Sequence, residues 1–377
     1  MNRAARQIRT NKLARILWNV ILALIAVAVA RPAPCQNLGP ASTRTVRIGV
    51  LGLFRPQAYT LNPASNLAIV IRAGDQTIAL ERSSGVDSAK IRLAATEHGG
   101  EIVTVEAGSY RLQAPRLTVA NRFDGPADFE LRIPGKITRP YLGRLEIKPA
   151  GGALLAVVTM DIETAVASVV SAEDPPGTAF EALKAQAVAA RSYFAAGAGR
   201  HHDSDFCDTT HCQFLREPPS RSGLAAKAAA ATQGLLLAYQ SRPFAAMYTR
   251  SCGGRTRSAA ELGLSVAHYP YYSVDCPYCR EHPAKWRREI PAAAAVTLRS
   301  SNEPARLELT RRLGWNTVPS NDFVIRRESG ELILVGSGQG HGLGLCQAGA
   351  NAMAQSGADF RQILAHYYPN TEIISLK

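Results

Sequence analysis

The sequence predicts an α+β fold in which a β-rich N-terminal part is followed by a mixed helix and strand core around a substrate groove. Two changes of pattern carry this reading. From Thr45 to about Ala150, short runs of β-branched and apolar residues are punctuated by Gly, Asp, Asn and Pro; at Met160 the apolar spacing lengthens to that of a helix. The composition, 46% hydrophobic and 19% charged with no low-complexity tract or fixed-period repeat, belongs to a globular protein and excludes a fibre or solenoid.

Taking the elements in order, Arg3, Arg6, Arg9, Lys12 and Arg15 precede the apolar run ILWNVILALIAVAVA and then RPAPCQN. Charged, apolar and small-residue segments in that order make a secretory signal. The run is about 15 residues, short for a membrane span that needs ~20. Residues 1–30 are therefore expected to be a signal peptide cleaved near Ala30 or an uncleaved anchor, and 31–44 a linker. RPAP before Cys35 lacks the aliphatic residue of a lipoprotein signal. The protein is expected in the periplasm or cell wall, touching a membrane only through an uncleaved N-terminal segment.

Residues 45–150 read as one β-rich part, with strands at TVRIGVLGLF, LAIVIRAG, QTIALER, KIRLAAT, EIVTVEAGSYRL, PRLTVANR, DFELRIPG and GRLEIKPAG. Residues 151–377 form the core. In DIETAVASVVSAE, Ile162, Val166, Val169 and Val170 share a helical face, Asp161 can cap the start and Pro175 stops it. Extending that face reaches Glu173, a carboxylate at the edge of a buried stripe. Partial desolvation there disfavours the charged form, the condition for donating a proton near neutral pH. The next helix opens with Thr178 and Glu181 at capping-box spacing and runs through ALKAQAVAARSYF, whose alanines let neighbouring backbones approach closely. Lys184, Gln186 and Arg191 on it are expected to offer polar groups near Glu173. Beyond lie the helix GLAAKAAAATQG, strands LLLAYQ, PFAAMYTRSCGG and ELILVGSG, the helix LCQAGANAMAQSG closed by Gly357, and a short helix capped by Asp359.

Charge and cysteine narrow the partners. The formal net charge is +13, with five of the positives in the first fifteen residues. A basic protein outside the cell suits an anionic polymer such as the wall, and no basic helix interleaved with aromatics points to nucleic acid. Six cysteines follow residue 200, so disulfides and metal are both open. HHDSDFCDTTHC offers His201 or His202, Cys207, His211 and Cys212, a donor set suited to tetrahedral zinc, against a Cys207–Cys212 disulfide. Cys252 is expected to pair with Cys276 or Cys279 by disulfide or through a second metal. GSGQGHGLGLCQAGA lacks the Lys-Ser/Thr of a phosphate loop; its alternate glycines bare a platform from which Gln339, His341 and Gln347 project. Ser251 beside a double glycine lacks a nucleophile elbow, so it and Tyr248 are taken as groove residues rather than covalent catalysts.

EALKAQAVAARSY with the acid-Pro turn before it, DTTHCQ, YTRSCGGRT, GQGHGLGLCQAGA and ILAHYYPNTEI together resemble the SpoIID/LytB family of bacterial wall proteins over about residues 45–377. The resemblance implies a lytic transglycosylase that cleaves peptide-stripped peptidoglycan glycan strands, leaving 1,6-anhydro-MurNAc ends. The alternative it carries is a non-catalytic modifier that stimulates a wall amidase. The family's catalytic glutamate, usually in Glu-Met-Pro, matches Glu173, with Asp174 in place of the methionine. Some members hold zinc through His and Cys, matching His201 or His202, Cys207, His211 and Cys212.

Overall fold

Strict alternation turns the first hundred residues of the folded part into sheet: Ala127–Ile133 buries Ala127, Phe129, Leu131 and Ile133 and turns Asp128, Glu130 and Arg132 away from the core. The computed structural model describes residues 44–291, 302–314, 316–328 and 331–376. The expected signal or anchor, and the linker up to residue 43, lie outside them. Among the described residues no helix is long and apolar enough to cross a membrane.

The structure is α+β with a β-rich core. A twelve-stranded sheet runs in the order Phe206–Cys207, Thr45–Val50, Leu154–Asp161, Ile137–Pro149, Ala127–Ile133, Ala58–Pro63, Ala89–Ala95, Glu101–Ala107 and Tyr110–Ala114; Ile69–Ala73, Gln76–Leu80 and Leu117–Asn121 join it at the side. Ile137–Pro149 pairs with Ala127–Ile133 through its first half and with Leu154–Asp161 through its second. The switch falls at Gly143, where a Cβ would stand 2.6 Å from the Thr159 carbonyl oxygen, so only glycine allows the strands that close. Ala58–Pro63 was not foreseen, because Asn62 and Pro63 mask an otherwise alternating run.

Seven helices follow among the described residues: α1 (Ile162–Glu173), α2 (Phe180–Ala196), α3 (Leu224–Ala231), α4 (Pro277–Glu281), α5 (Glu303–Leu313), α6 (Gln347–Gln355) and α7 (Phe360–Tyr367). Asp161 caps α1 as expected, its Oδ1 accepting from Glu163 N at 2.9 Å and Thr164 N at 3.3 Å. The helix α2 is central, with α1, α3, α6, α7 and the strand Leu235–Tyr239 packed round it. Its alanines 182, 185, 187, 189 and 190 are all buried, and their small size is what admits so many neighbours.

The capping box expected at the start of α2 does not form. Ala179 is the N-cap, Thr178 Oγ1 donates to the Pro175 carbonyl at 2.8 Å, and Glu181 accepts from Phe360 N at 2.9 Å, at the head of α7. Asn351 on α6 receives the Ala179 N–H at 2.8 Å. A local carbonyl has taken the Thr178 end of the motif and a tertiary partner the Glu181 end. By contrast, the cap at Asp359 is a complete capping box with Gln362.

Candidate functional site

The helix α1 ends at Glu173 because Pro175 and Pro176 follow, and the chain turns there before entering α2. The turn is gripped through both the side chain and the main chain of Glu173. Its Oε1 accepts from Phe214 N at 2.9 Å and lies 3.4 Å from the Tyr248 hydroxyl, which donates to Gln213 Oε1 at 2.9 Å. Its carbonyl oxygen accepts from Arg250 Nη1 at 2.8 Å and from Gln347 Nε2 at 3.5 Å. Glu173 is half-buried. Burial pushes its pKa above the usual carboxylate range against the opposing hydrogen bonds from Phe214 and Tyr248 and the nearby Arg250 charge.

Asp174 is affected more strongly. Burial, and then the charge of Glu173, push its pKa up to about 8, and its Oδ2 is buried without a hydrogen-bond partner. Near neutral pH these two causes favour the protonated, uncharged form of the second carboxyl.

Phe214 and Gln213 belong to a loop fixed to the sheet. Phe206–Cys207 pairs in parallel with Ile48 and Gly49 of Thr45–Val50. Asp208 is buried, accepting from Leu51 N at 3.0 Å and from Arg139 Nη1 at 3.1 Å. Gln213 Nε2 donates to the Ala190 carbonyl of α2 at 3.2 Å. Between these anchors His201, Cys207, His211 and Cys212 converge, their donor atoms all within 4.8 Å of one another. His201 Nε2 is 3.2 Å from Cys212 Sγ, and His211 Nδ1 is 3.8 Å from Cys207 Sγ and 3.7 Å from Cys212 Sγ. Around an ion with ligands at ~2.0–2.3 Å, a tetrahedron sets its corners about 3.3–3.8 Å apart, so the donor set fits zinc. Both thiols are free. His202 is not part of the cluster: its side chain is 95% exposed and lies 3.3 Å from Asp203.

The other residues expected in the groove separate into two groups. Tyr248 and Gln347 touch Glu173. Gln339 is exposed, its main chain bridged to Ser251. His341 Nδ1 accepts from Leu343 N at 2.9 Å, and burial lowers the ring's pKa to about 4, so it is neutral and tied to main chain. The remainder are buried or half-buried. Arg191 is fully buried, bidentate to Glu163 at 2.6 and 2.8 Å and donating to the carbonyls of Ala229 and Leu235, so it joins α1, α2 and α3 rather than reaching substrate. Gln186 is buried with neither amide atom partnered. Lys184 pairs with Glu181 at 2.6 Å and lies over the rings of Phe180 and Phe360. Ser251 is buried with its Oγ 3.5 Å from Cys279 Sγ.

Three residues at the site were not singled out from sequence: Gln213, Phe214 and Arg250. Gln213 and Arg250 stand inside the DTTHCQ and YTRSCGGRT motifs, and that adjacency was the available signal. A cavity of about 270 Å³ opens not over Glu173 but beside Cys252, lined by Arg255, Arg257, Asp275, Arg280 and Asp322.

Residues 150–239 match the SpoIID family, described as Stage II sporulation protein. The chain is 29% identical over 268 residues to an uncharacterized protein of Brachyspira hyodysenteriae, covering 62% of this chain and 72% of that one. It is 27% identical over 265 residues to Stage II sporulation protein D of Bacillus amyloliquefaciens, covering 58% and 75%. A shorter match of 68 residues, 34% identical, is to the amidase enhancer of Bacillus subtilis, covering 18% of this chain and 10% of that protein.

Proposed function

Since the chain belongs to the SpoIID family, we propose that it acts on the bacterial cell wall as a lytic transglycosylase, cutting the MurNAc–GlcNAc bond of peptide-stripped glycan strands with Glu173 as its one acid and base. The observation that supports this most is the state of Glu173: a half-buried carboxyl, its pKa raised by burial, with donors already aimed at the anion it becomes.

Protonated Glu173 gives its proton to the oxygen that bridges MurNAc C1 to GlcNAc. The C1–O bond breaks and GlcNAc leaves with a free 4-hydroxyl. The carboxylate then takes the proton of the MurNAc C6 hydroxyl as O6 bonds to C1, closing the 1,6-anhydro ring. Glu173 is protonated again, and no water is consumed. The Tyr248 hydroxyl has one proton and two acceptors, Gln213 at 2.9 Å and Glu173 at 3.4 Å; charge on Glu173 draws that proton towards it and steadies the anion between the two steps. Hydrolytic glycosidases need two carboxyl groups ~5 Å or ~6.5–9.5 Å apart across the bond. Asp174 does not supply one, because a residue next to Glu173 in the chain does not flank the same bond from the opposite face.

His201, Cys207, His211 and Cys212 would hold a zinc ion whose four protein ligands leave no open position, so its contribution is to fix the loop. The loop in turn presents Phe214 N–H and Gln213 to Glu173 and Tyr248. Family membership supports a place in the cell envelope, and the signal or anchor expected at residues 1–30 would put it outside the cytoplasmic membrane.

The test is direct. Full-length protein incubated with denuded glycan strands should yield anhydro-MurNAc ends by mass spectrometry, and folded Glu173→Gln should yield none. Absence of product from the wild type sinks the enzyme reading; product from Glu173→Gln sinks the role of that residue. The match to an amidase enhancer favours a second reading, a binding module that stimulates a wall amidase. That reading gains if Glu173→Gln stimulates a purified amidase as well as the wild type does.

A further inference from the structure

On the other side of the Glu173 turn, four cysteines from three separate stretches of chain meet in the core. Cys252 follows the strand Tyr248–Thr249, Cys276 is the N-cap of α4, Cys279 lies on α4, and Cys346 is the N-cap of α6. They are 4%, 1%, 0% and 0% exposed, and all four sulfurs lie within 4.8 Å of one another. None is in a disulfide. We propose that Cys252, Cys276, Cys279 and Cys346 bind a structural zinc ion, distinct from any held by the His/Cys loop.

Three features support the assignment. The first is spacing: a tetrahedral ion with Zn–S of ~2.3 Å needs sulfurs about 3.8 Å apart, whereas a disulfide needs ~2.0 Å. Cys279 Sγ and Cys346 Sγ are 3.5 Å apart, close to the first value and far from the second. The second is the surroundings. Gly349 N–H points at Cys346 Sγ at 3.5 Å, the Tyr367 hydroxyl lies 3.4 Å from Cys276 Sγ, and Ser251 Oγ lies 3.5 Å from Cys279 Sγ. Protein hydrogen bonds to metal-bound thiolates take this form, offsetting negative charge that would otherwise be stranded in an apolar core. The third is room. A Cβ on Gly349 would stand 2.5 Å from Cys276 Sγ and 2.0 Å from the Tyr367 hydroxyl oxygen, so α6 approaches the sulfurs as closely as glycine permits.

A four-sulfur tetrahedral set selects zinc or iron, and a closed set is structural rather than catalytic. As zinc binds, the four thiols release their protons, and the ion links three stretches of chain that also meet through main chain, Thr249 pairing with Cys346 and Cys276 N donating to the Gly254 carbonyl at 2.9 Å. Cys252 is two residues from Arg250, and Cys346 is next to Gln347, the two side chains that hold the Glu173 carbonyl. The ion would therefore set the inner wall of the turn.

Metal analysis of the full-length protein purified without chelator should find two zinc ions per chain, falling to one in Cys212→Ser. X-ray absorption at the zinc edge of Cys212→Ser should then show only sulfur neighbours, at ~2.3 Å. This measurement leaves the four-cysteine cluster intact, so it does not depend on a core variant folding. A single zinc that survives in Cys212→Ser with only sulfur ligands also upholds the proposal. It is overturned if Cys212→Ser carries no metal, if nitrogen or oxygen enters the shell, or if iron replaces zinc. Disulfide-linked Cys252, Cys276, Cys279 or Cys346 in peptide maps made without reductant would overturn it equally.

Discussion

The Glu173 turn is held from two sides by unlike material. On the outer side a loop spanning residues 200–215 contributes Phe214 N–H and Gln213, and it is built from half-exposed histidine and cysteine side chains set on a sheet margin. On the inner side Tyr248, Arg250 and Gln347 reach the same residue from segments that run into a buried cluster of four thiols. The outer side touches the carboxylate that changes charge. The inner side, Tyr248 apart, touches the carbonyl that does not. Disturbing the outer side should therefore alter the chemistry, and disturbing the inner side should first alter the stability of the fold.

The largest effect expected is on the inner side. Cys279→Ser removes one of four buried ligands and should lower Tm by roughly 10 °C or sharply reduce soluble yield, read by calorimetry. If it melts like the wild type, the inner cluster contributes no stability and the contrast fails. Cys212→Ser should do the reverse, changing Tm by only a few degrees while cutting the rate of anhydro-sugar release about 100-fold, because a displacement of ~1 Å in a catalytic group costs that much. Equal losses of rate and stability in that variant would erase the distinction.

Smaller effects sharpen the picture. Tyr248→Phe removes a hydrogen bond that favours charged Glu173, so the rate should fall about 10-fold and the alkaline limb of the pH–rate profile should move up, since the acid then holds its proton to higher pH. A limb that moves down would show that Tyr248 is not stabilising the anion. The smallest effect concerns Asp174. Its folded pKa of about 8 stands above its ordinary 3.8, so the stability that its neutral form contributes is full below pH 4 and is lost as pH rises through 8. Asp174→Asn should match the wild type near pH 4 and melt roughly 2–5 °C higher above pH 8. A difference that is the same at both pH values would rule out this titration.

The same contrast explains what could be read in the sequence. The outer cluster spans a dozen residues, so HHDSDFCDTTHC disclosed its donors, although His202 and His201 could not be told apart until Asp203 was seen beside one and Cys212 beside the other. The inner cluster joins Cys252 to Cys346 across the chain; sequence supplied only the Cys252, Cys276 and Cys279 association and left Cys346 aside. Elements with local causes were legible: Asp161 caps α1, Pro175 ends it, and alternation gave most of the strands. Elements decided at a distance were not. Arg191 looked like a polar group on a thin helix, but Glu163 and two carbonyls bury it. The box at Thr178 and Glu181 lost its glutamate to Phe360, while the cap at Ala179 donates to Asn351. The helix α5 has a charged sequence, EPARLELTRRL, and little apolar stripe to announce it.

The parallel pairing of Phe206–Cys207 with Thr45–Val50 has a consequence for solubility. Thr45–Val50 is the next-to-last strand of the large sheet, and its outer margin is covered by this short strand with its neighbours Asp205, which accepts the Arg47 N–H at 3.0 Å, and Asp208, which donates its N–H to the Gly49 carbonyl at 3.1 Å. A loop that swings away uncovers a row of apolar-flanked amides ready to pair with another chain. Damage to the outer loop should thus make the protein self-associate while its core is still folded, so turbidity would precede loss of secondary structure on heating.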